Sequence, residues 1–266
     1  MKKLGFVFLS ILILSVGLFS CSKDNDDDSK DNDDDNPDAS VYLPKKMYGT
    51  YEGNQWNTTF AYDSQNRLVN STSVNRVGGS ETVFTINYPA NGQYEIQVSY
   101  SDDDDSYTLY TAEETGNVVE IERIGFYEGT AREPKEYYYT VENGHIVNCI
   151  FDVDDLRNYT YDSSGNITET TWRYKNDPAN TRTMKYDDKK GIFSNIKTPA
   201  WILWDILDIG GINNPWFFVN NITELQRNNV LEKYEYTYNS DNYPTAIKIT
   251  EYYTDGEEQI DVTIEY

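Results

Sequence analysis

The sequence predicts an all-β protein: a repetitive antiparallel β-hairpin meander forming a rolled or partly closed barrel-like sheet, with one short buried helix near residues 199–209. Three observations carry this. A tyrosine followed by a polar turn recurs along the chain, the flanks of those turns alternate apolar and polar residues, and one apolar run breaks the alternation.

The recurring unit is a tyrosine and then a turn rich in Asn, Asp and Gly. It reads Tyr62-Asp63-Ser64-Gln65-Asn66, Tyr88-Pro89-Ala90-Asn91-Gly92, and Tyr110 through Gly116-Asn117. It returns as Tyr139 through Asn143-Gly144, Tyr161-Asp162-Ser163-Ser164-Gly165-Asn166, Tyr186-Asp187 through Gly191, and Tyr238-Asn239-Ser240-Asp241-Asn242. The tyrosines are spaced by 26, 22, 29, 22, 25 and 52 residues, the last being two periods. Between turns, Tyr94, Ile96, Val98 and Tyr100 alternate with polar residues, as do Ile260, Val262, Ile264 and Tyr266. Period two with one apolar face denotes half-buried strands, and Asn-Gly or Gly-Asn supplies the positive φ of a tight hairpin. Each repeat is then one hairpin, and 24 tyrosines supply aromatic cross-strand pairs.

The exception is Trp201-Ile202-Leu203-Trp204-Asp205-Ile206-Leu207-Asp208-Ile209, preceded by Thr198-Pro199 and followed by Gly210-Gly211. Thr198 suits a cap, Pro199 the first helical turn, and the glycines a stop. A helix apolar nearly all round is buried, and about eleven residues are too few to span a bilayer. The segment is expected to plug or cap the rolled sheet; insertion into lipid or a partner is the alternative.

The chain begins Met1-Lys2-Lys3, then an apolar run from Leu4 to Phe19 of roughly 16 residues, shorter than the about 20 a membrane span needs. It ends in Leu18-Phe19-Ser20-Cys21, which resembles the lipobox cut by the lipoprotein signal peptidase. That implies removal of residues 1–20 and lipid attachment at Cys21; two or more acyl chains anchor stably where one does not. Residues 22–40 hold nine Asp and two Lys, in the near-copies Ser22-Lys23-Asp24-Asn25-Asp26-Asp27-Asp28 and Ser29-Lys30-Asp31-Asn32-Asp33-Asp34-Asp35. So little apolar surface and so much self-repulsion predict an extended tether. A lysine and acids behind the lipidated cysteine also resemble the surface-export signal of Bacteroides-type lipoproteins. The expected location is the outer membrane at the cell surface, with the periplasmic face as alternative. Three parts result: 1–20 signal peptide, 21–40 tether, 41–266 a single β-repeat domain.

The net charge of −23 becomes −25 without Lys2 and Lys3, and −18 for residues 41–266 once the tether's −7 is set aside. Such acidity argues against nucleic acid as a partner. Only Cys149 remains besides Cys21, so the mature domain can form no internal disulfide.

The Tyr-Asp-x-x-Gly-Asn turns resemble the YD repeats of large secreted β-shell proteins. More closely, Tyr186-Asp187-Asp188-Lys189-Lys190-Gly191-Ile192-Phe193-Ser194-Asn195-Ile196, with the apolar insert and Asn220-Asn221-Ile222-Thr223 after it, resembles a family of Bacteroides-type lipoproteins. That family has no known function and a porin-like, rolled antiparallel sheet. The resemblance covers most of residues 45–266 and implies fold and location. It carries over no catalytic residues.

Chemistry-bearing residues are sparse. His145, the only histidine, falls in or beside a hairpin turn, and any catalytic triad would have to use it. An exposed turn residue is the plainer reading, and one histidine with one remaining cysteine excludes a multi-histidine or Cys-rich zinc site within the chain. Asp102, Asp103, Asp104 and Asp105 are the candidates for calcium, although the stretch lacks the Gly and distal Glu of an EF-hand loop, and no other cofactor is expected. A solvated loop is the plainer reading, as it is for Asp152, Asp154 and Asp155. Trp56, Trp172 and Trp216 are the candidates for ligand contact, as a platform for sugar rings; core or cross-strand packing is the plainer reading of each. The expected function is a non-catalytic, membrane-anchored binding module for a glycan or an envelope protein. A carboxylate-based hydrolase and a structural component of an outer-membrane complex are the alternatives. A membrane-spanning barrel is disfavoured, since a lipid anchor and tether would be redundant to it and many strands look shorter than the about 9–11 residues of a span.

Overall fold

The computed structural model describes residues 41–51, 53–75, 80–101, 105–152, 155–175, 179–203, 219–228, 230–254 and 256–266. The signal peptide, Cys21, the acidic tether, Asp102 to Asp104, Trp216 and the predicted helix from residue 204 onward lie outside the described residues.

Residues from Ser40 to Tyr266 form one compact unit. Its strands are β1 (Lys46–Tyr51), β2 (Asn54–Tyr62), β3 (Leu68–Asn75), β4 (Glu81–Ala90), β5 (Gln93–Tyr100) and β6 (Tyr107–Thr115). Then come β7 (Val118–Tyr127), β8 (Thr130–Ala131), β9 (Lys135–Glu142), β10 (His145–Asp152), β11 (Asp155–Tyr161) and β12 (Ile167–Tyr174). The last are β13 (Asn180–Tyr186), β14 (Ile222–Arg227), β15 (Val230–Tyr238), β16 (Pro244–Tyr252) and β17 (Glu257–Glu265). Each pairs antiparallel with the next, except that β8 is a two-residue flap on β7 and β9 takes the place beside β7. The first strand pairs with the last, from Lys46↔Glu265 to Thr50↔Asp261. The sheet is therefore fully closed, a barrel of sixteen strands, which settles the expectation of a rolled or partly closed one. An even number lets the two ends of a meander meet antiparallel, and closure leaves no open edge.

The alternation predicted from sequence fixes the faces. Ile86, Ile96, Val119, Ile121, Ile247, Ile249, Ile260 and Val262 point inward and are buried. Burying each such side chain contributes roughly 1.5–3 kcal/mol. The outer positions between them carry Thr85, Glu95, Gln97, Glu120, Lys248 and Asp261, all exposed.

Four of the turns at one end of the barrel are near copies. In three of them an Asx side chain folds back on the loop: Asp63 Oδ1 accepts the Gln65 and Arg67 N–H groups, Asp162 Oδ1 those of Ser164 and Asn166, and Asn239 Oδ1 those of Asp241 and Tyr243. The fourth position is left-handed in each, at Asn66, Gly165 and Asn242, where Asn and Gly carry the least strain. A fourth copy begins at Asp187 and is split. Its closing bonds are made by Asn221, whose N–H reaches Asp187 Oδ1 (3.1 Å) while the Asp187 N–H reaches the Asn221 carbonyl (3.0 Å). The apolar insert is thus spliced into a single turn, and the barrel closes beneath it.

A tyrosine ladder locks the same end. Tyr62, Tyr88, Tyr161, Tyr186, Tyr236 and Tyr266 donate their hydroxyls, at 2.6–3.1 Å, to the carbonyls of Pro44, Leu68, Ile146, Ile167, Ile222 and Pro244. Each acceptor lies at or beside the start of the preceding strand, where ladder pairing runs out and a carbonyl needs a partner. The sequence period matches this ladder at Tyr62, Tyr88, Tyr161 and Tyr186. Two of its members behave otherwise: Tyr110 and Tyr139 lie in mid-strand, because their hairpins are turned by Gly116 and by Asn143-Gly144 farther on. At Tyr238 the clamp passes to Tyr236, and the Tyr238 hydroxyl donates to Asp187 instead.

Candidate functional site

Sixteen strands enclose a wide interior, and the two ends of this barrel fill it differently. At the end with the copied turns, the insert crosses the mouth. The Lys197 N–H donates to the Asn66 carbonyl, and Thr198 Oγ1 accepts the Leu68 N–H at 2.7 Å while meeting the Tyr88 hydroxyl at 2.9 Å. Phe193 packs edge-on against Phe60; Trp201 packs edge-on against Tyr94 and stacks on Tyr139. Ile192, Phe193, Trp201, Ile202 and Leu203 are buried. The predicted plug is observed over this stretch, with helical backbone at 200–203.

Toward the other end, where the hairpin loops are more varied, the inner wall turns polar. Cross-strand register places Arg157 opposite Trp172, Trp172 opposite Asn180, and Arg182 opposite both Thr170 and Arg227. It goes on with Leu225 opposite Glu232, Glu232 opposite Glu251, and Glu251 opposite Glu258. On the other side of the lumen Tyr110 faces Arg123, and Thr58 hydrogen-bonds Ser73 at 2.9 Å. Trp56, Tyr110, Arg123, Tyr137, Arg157, Trp172, Arg182 and Arg227 point inward yet are only partly buried, so solvent reaches this half of the lumen.

Charges are sorted around the wall. Arginines occupy β7, β11, β13 and β14, and glutamates β15, β16 and β17. Arg227 Nε meets Glu232 Oε1 at 3.2 Å, and Glu232 Oε2 accepts the Tyr234 hydroxyl at 2.5 Å. Glu251 accepts the Tyr253 hydroxyl. Glu232 and Glu251 are 3% and 5% exposed. Burial raises the Glu232 pKa above the ordinary carboxylate value, against the opposing effects of Tyr234 and Arg227. The Arg182 guanidinium lies 4.8 Å from the Trp172 ring centre, and that of Arg123 5.9 Å from Tyr110's. Trp56 Nε1, Arg123 Nε and Asp155 Oδ1 are buried without a hydrogen-bond partner, an arrangement native interiors resolve with water or a ligand.

Of the sequence-nominated residues, Trp56 and Trp172 both line this half of the lumen, on well-separated strands, rather than an outer platform. The Trp56 ring lies against Gly49, where an added Cβ would stand 3.1 Å from it. Asp105 is exposed in the β5–β6 loop, and no group of three or more candidate metal ligands occurs among the described residues. Asp155 begins β11 rather than sitting in a loop. His145 is partly buried rather than exposed, opening β10 with its ring 4.6 Å from Tyr161's. Cys149 is buried and forms no disulfide.

The inner-wall charges were missed, although a signal for them exists. Each extends an apolar parity: Val119-x-Ile121-x-Arg123, Ile247-x-Ile249-x-Glu251, Arg157-x-Tyr159 and Glu232-x-Tyr234. A charge on the buried parity of a strand points into the barrel.

No protein-family model matches the sequence, and no curated protein is significantly similar to it. Among solved structures, the fold is similar to a porin-like protein from Bacteroides uniformis ATCC 8492, with a TM-score of 0.54 at 13% identity over 83% of this chain and 96% of that one. A porin-like protein from Bacteroides vulgatus ATCC 8482 aligns at 10% identity with a TM-score of 0.40, over 85% and 99% of the two chains. The first likeness is one of fold: a closed antiparallel β-barrel with almost no helix.

Proposed function

We propose that this protein is a membrane-tethered binding module, held by lipid on Cys21, whose barrel stands in water and takes a glycan into the polar half of its lumen. The observation that carries the proposal is the direction of the wall. A membrane-spanning barrel turns an apolar band about 25 Å tall to lipid and keeps its polar residues inside. Here the outer face bears Glu95, Glu120, Glu122, Glu136, Lys233, Glu235, Lys248 and Asp261, and the apolar residues fill the interior. Strand length does not discriminate, because seven strands reach nine or ten residues. Chemistry does: a single Lys or Arg facing lipid at the midplane costs about 2–4 kcal/mol, and this wall would carry many charges. Attachment through residues 1–40 accounts for a membrane protein with such a wall, and the outer face of the outer membrane is the proposed location.

Two measurements test the reading. Cys21→Ala should move the protein from the membrane fraction to the soluble one; retention of the variant through an alkaline wash would mean that the barrel itself inserts. A thermal-shift screen of residues 41–266 against glycans should find a class that raises the melting temperature, because a ligand binding only the folded state must do so.

A second reading is favoured by one observation, the buried and directly opposed Glu232 and Glu251. Paired carboxylates of which one has a raised pKa suit general acid–base hydrolysis. Release of reducing ends from a bound glycan, abolished by both Glu232→Gln and Glu251→Gln with binding intact, would establish it. Binding without product would leave the protein a capture module.

A further inference from the structure

We infer that the copied-turn end is a second interaction surface whose partner is the lipid headgroup layer. The barrel rests plug-down on anionic headgroups and opens its polar lumen away from the membrane. The inference rests on the proposed attachment through Cys21 and adds the direction in which the tethered domain faces.

The first observation is where the chain enters the barrel. Tyr42 stacks on Tyr243, ring centres 4.6 Å apart, and meets Tyr266 edge-on at 5.5 Å. Its hydroxyl donates to Asp241, and its carbonyl accepts the Asn195 side-chain amide of the insert at 2.9 Å. The Pro44 carbonyl takes the Tyr62 hydroxyl, and the Lys45 N–H donates to the Glu265 carbonyl. Residues 42–45 are thus fixed beside the plug, and the chain that precedes them departs from that end. Residues 21–40 can reach at most about 70 Å, and strands of nine or ten residues make the wall about 30 Å long. Inverting the domain would carry a segment of net charge −7 back along an outer face bearing Glu95, Glu120, Glu122 and Asp261. Its length permits this, but like-charge repulsion and lost chain freedom oppose it.

The second observation is charge. Residues 41–266 carry a net −18, yet the entry segment 41–45 and residues 188–203 of the insert hold Lys45, Lys189, Lys190 and Lys197 against Asp188, a net of +3. Lys45, Lys190 and Lys197 are exposed. The Lys190 ammonium lies 4.8 Å from the Tyr243 ring centre, and an ammonium over a ring face keeps N–H donors for a second acceptor. Lys189 meets Asp188 at 3.2 Å, an open pair with the Asp188 side chain 87% exposed, and water competes for such a pair. The acids nearby are drawn into the fold: Asp63, Asp162, Asp187 and Asp241 each accept hydrogen bonds that close turns or hold the entry segment. A lysine is a point charge that demands no fixed geometry of its partner, so separated lysines on one face suit a broad layer of phosphate-bearing headgroups.

The test places a fluorophore on Ser194→Cys, beside the plug, or on Thr130→Cys, in the β8 flap at the loop end; both positions are exposed, and Cys149 is buried. The lipidated protein is incorporated into vesicles of phosphatidylcholine and phosphatidylglycerol with nitroxide-bearing headgroups. Quenching at residue 194 should exceed that at residue 130 several-fold, and the excess should fall as salt is raised. Lys190→Gln combined with Lys197→Gln should remove most of it, since each lysine near an anionic surface is worth about 1 kcal/mol, about five-fold in the ratio of the two orientations. Melting curves of the variants report whether they fold. Equal quenching at the two positions, or an excess at residue 130, overturns the inference. An excess that survives both substitutions and persists in phosphatidylcholine alone overturns the lysine contact. A lipidated chain that does not float with the vesicles overturns the anchor, and the orientation with it, which separates that failure from the others.

Discussion

The two ends of this barrel are built from the same strands and obey opposite rules. At the copied-turn end the polar groups are drawn into closing the structure. Tyrosine hydroxyls cap strand-end carbonyls, Asx side chains close turns, and Glu114 accepts the hydroxyl of Tyr94 and the indole N–H of Trp201 at 2.9 and 3.4 Å. At the loop end, Arg123, Arg157, Arg182, Arg227, Glu232 and Glu251 stand on the inward face of the wall, with Arg227 and Glu232 paired across it. Closing and ordering a sixteen-strand barrel is the work of the first end. The second departs from locally consistent packing, and such departures concentrate at functional sites.

The largest effect expected from this contrast comes from the plug. Trp201→Ala removes a buried indole that packs on Tyr94 of β5 and Tyr139 of β9 and should cost about 3–5 kcal/mol, read from chemical denaturation. The glycan affinity proposed for the loop end should change little so long as the variant is folded. An equal loss of affinity would show the two ends to be coupled. Next is the tyrosine ladder. Tyr186→Phe deletes one hydroxyl and strands the Ile167 carbonyl, which is 2.6 Å from it; the expected cost is about 1–3 kcal/mol. Tyr138→Phe, on the outer wall, should be near neutral, and an equal cost for the two would break the distinction between ladder and surface.

The smallest effect is the most specific, because the ends should respond to pH with opposite signs. Asp162 is partly desolvated, which opposes ionisation, but hydrogen bonds from Asn166, Ser164 and Gly165 outweigh this and lower its pKa. Asp63 behaves alike through Arg67 and Gln65. A lowered carboxylate contributes stability that is complete above the unfolded value of about 3.9 and is lost as pH falls through the folded one. The Glu232 pKa is raised, so its contribution is complete below about 4.3 and is lost as pH rises through the folded value. The melting-temperature advantage of wild type over Asp162→Asn should therefore be complete above about pH 3.9 and fall away as pH is lowered below it. Its advantage over Glu232→Gln should shrink as pH rises above about 4.3. Slopes of the same sign would refute the contrast between a carboxylate held ionised by turn hydrogen bonds at one end and one desolvated by burial at the other.

Much of this was legible in the sequence, for a physical reason. Strand period, turn chemistry and the burial of tyrosine are local properties, set by side-chain alternation and by the few residues that tolerate positive φ. Tyr-Asp and a left-handed Asn or Gly therefore announce a turn wherever the chain carries them. The apolar run after Thr198 likewise declares its own burial, because no aqueous surface would hold Trp201, Ile202 and Leu203 together. Tertiary structure decided the rest. Closure depends on β1 meeting β17, a pairing across the whole chain that no local pattern encodes. The insert's place within the Asp187 turn shows only when Asn221 completes the bonds begun before it. The character of the wall, apolar inside and charged outside, follows from which face of a closed sheet turns inward; from that, Arg182 and Glu251, ordinary charges in the sequence, become residents of a lumen.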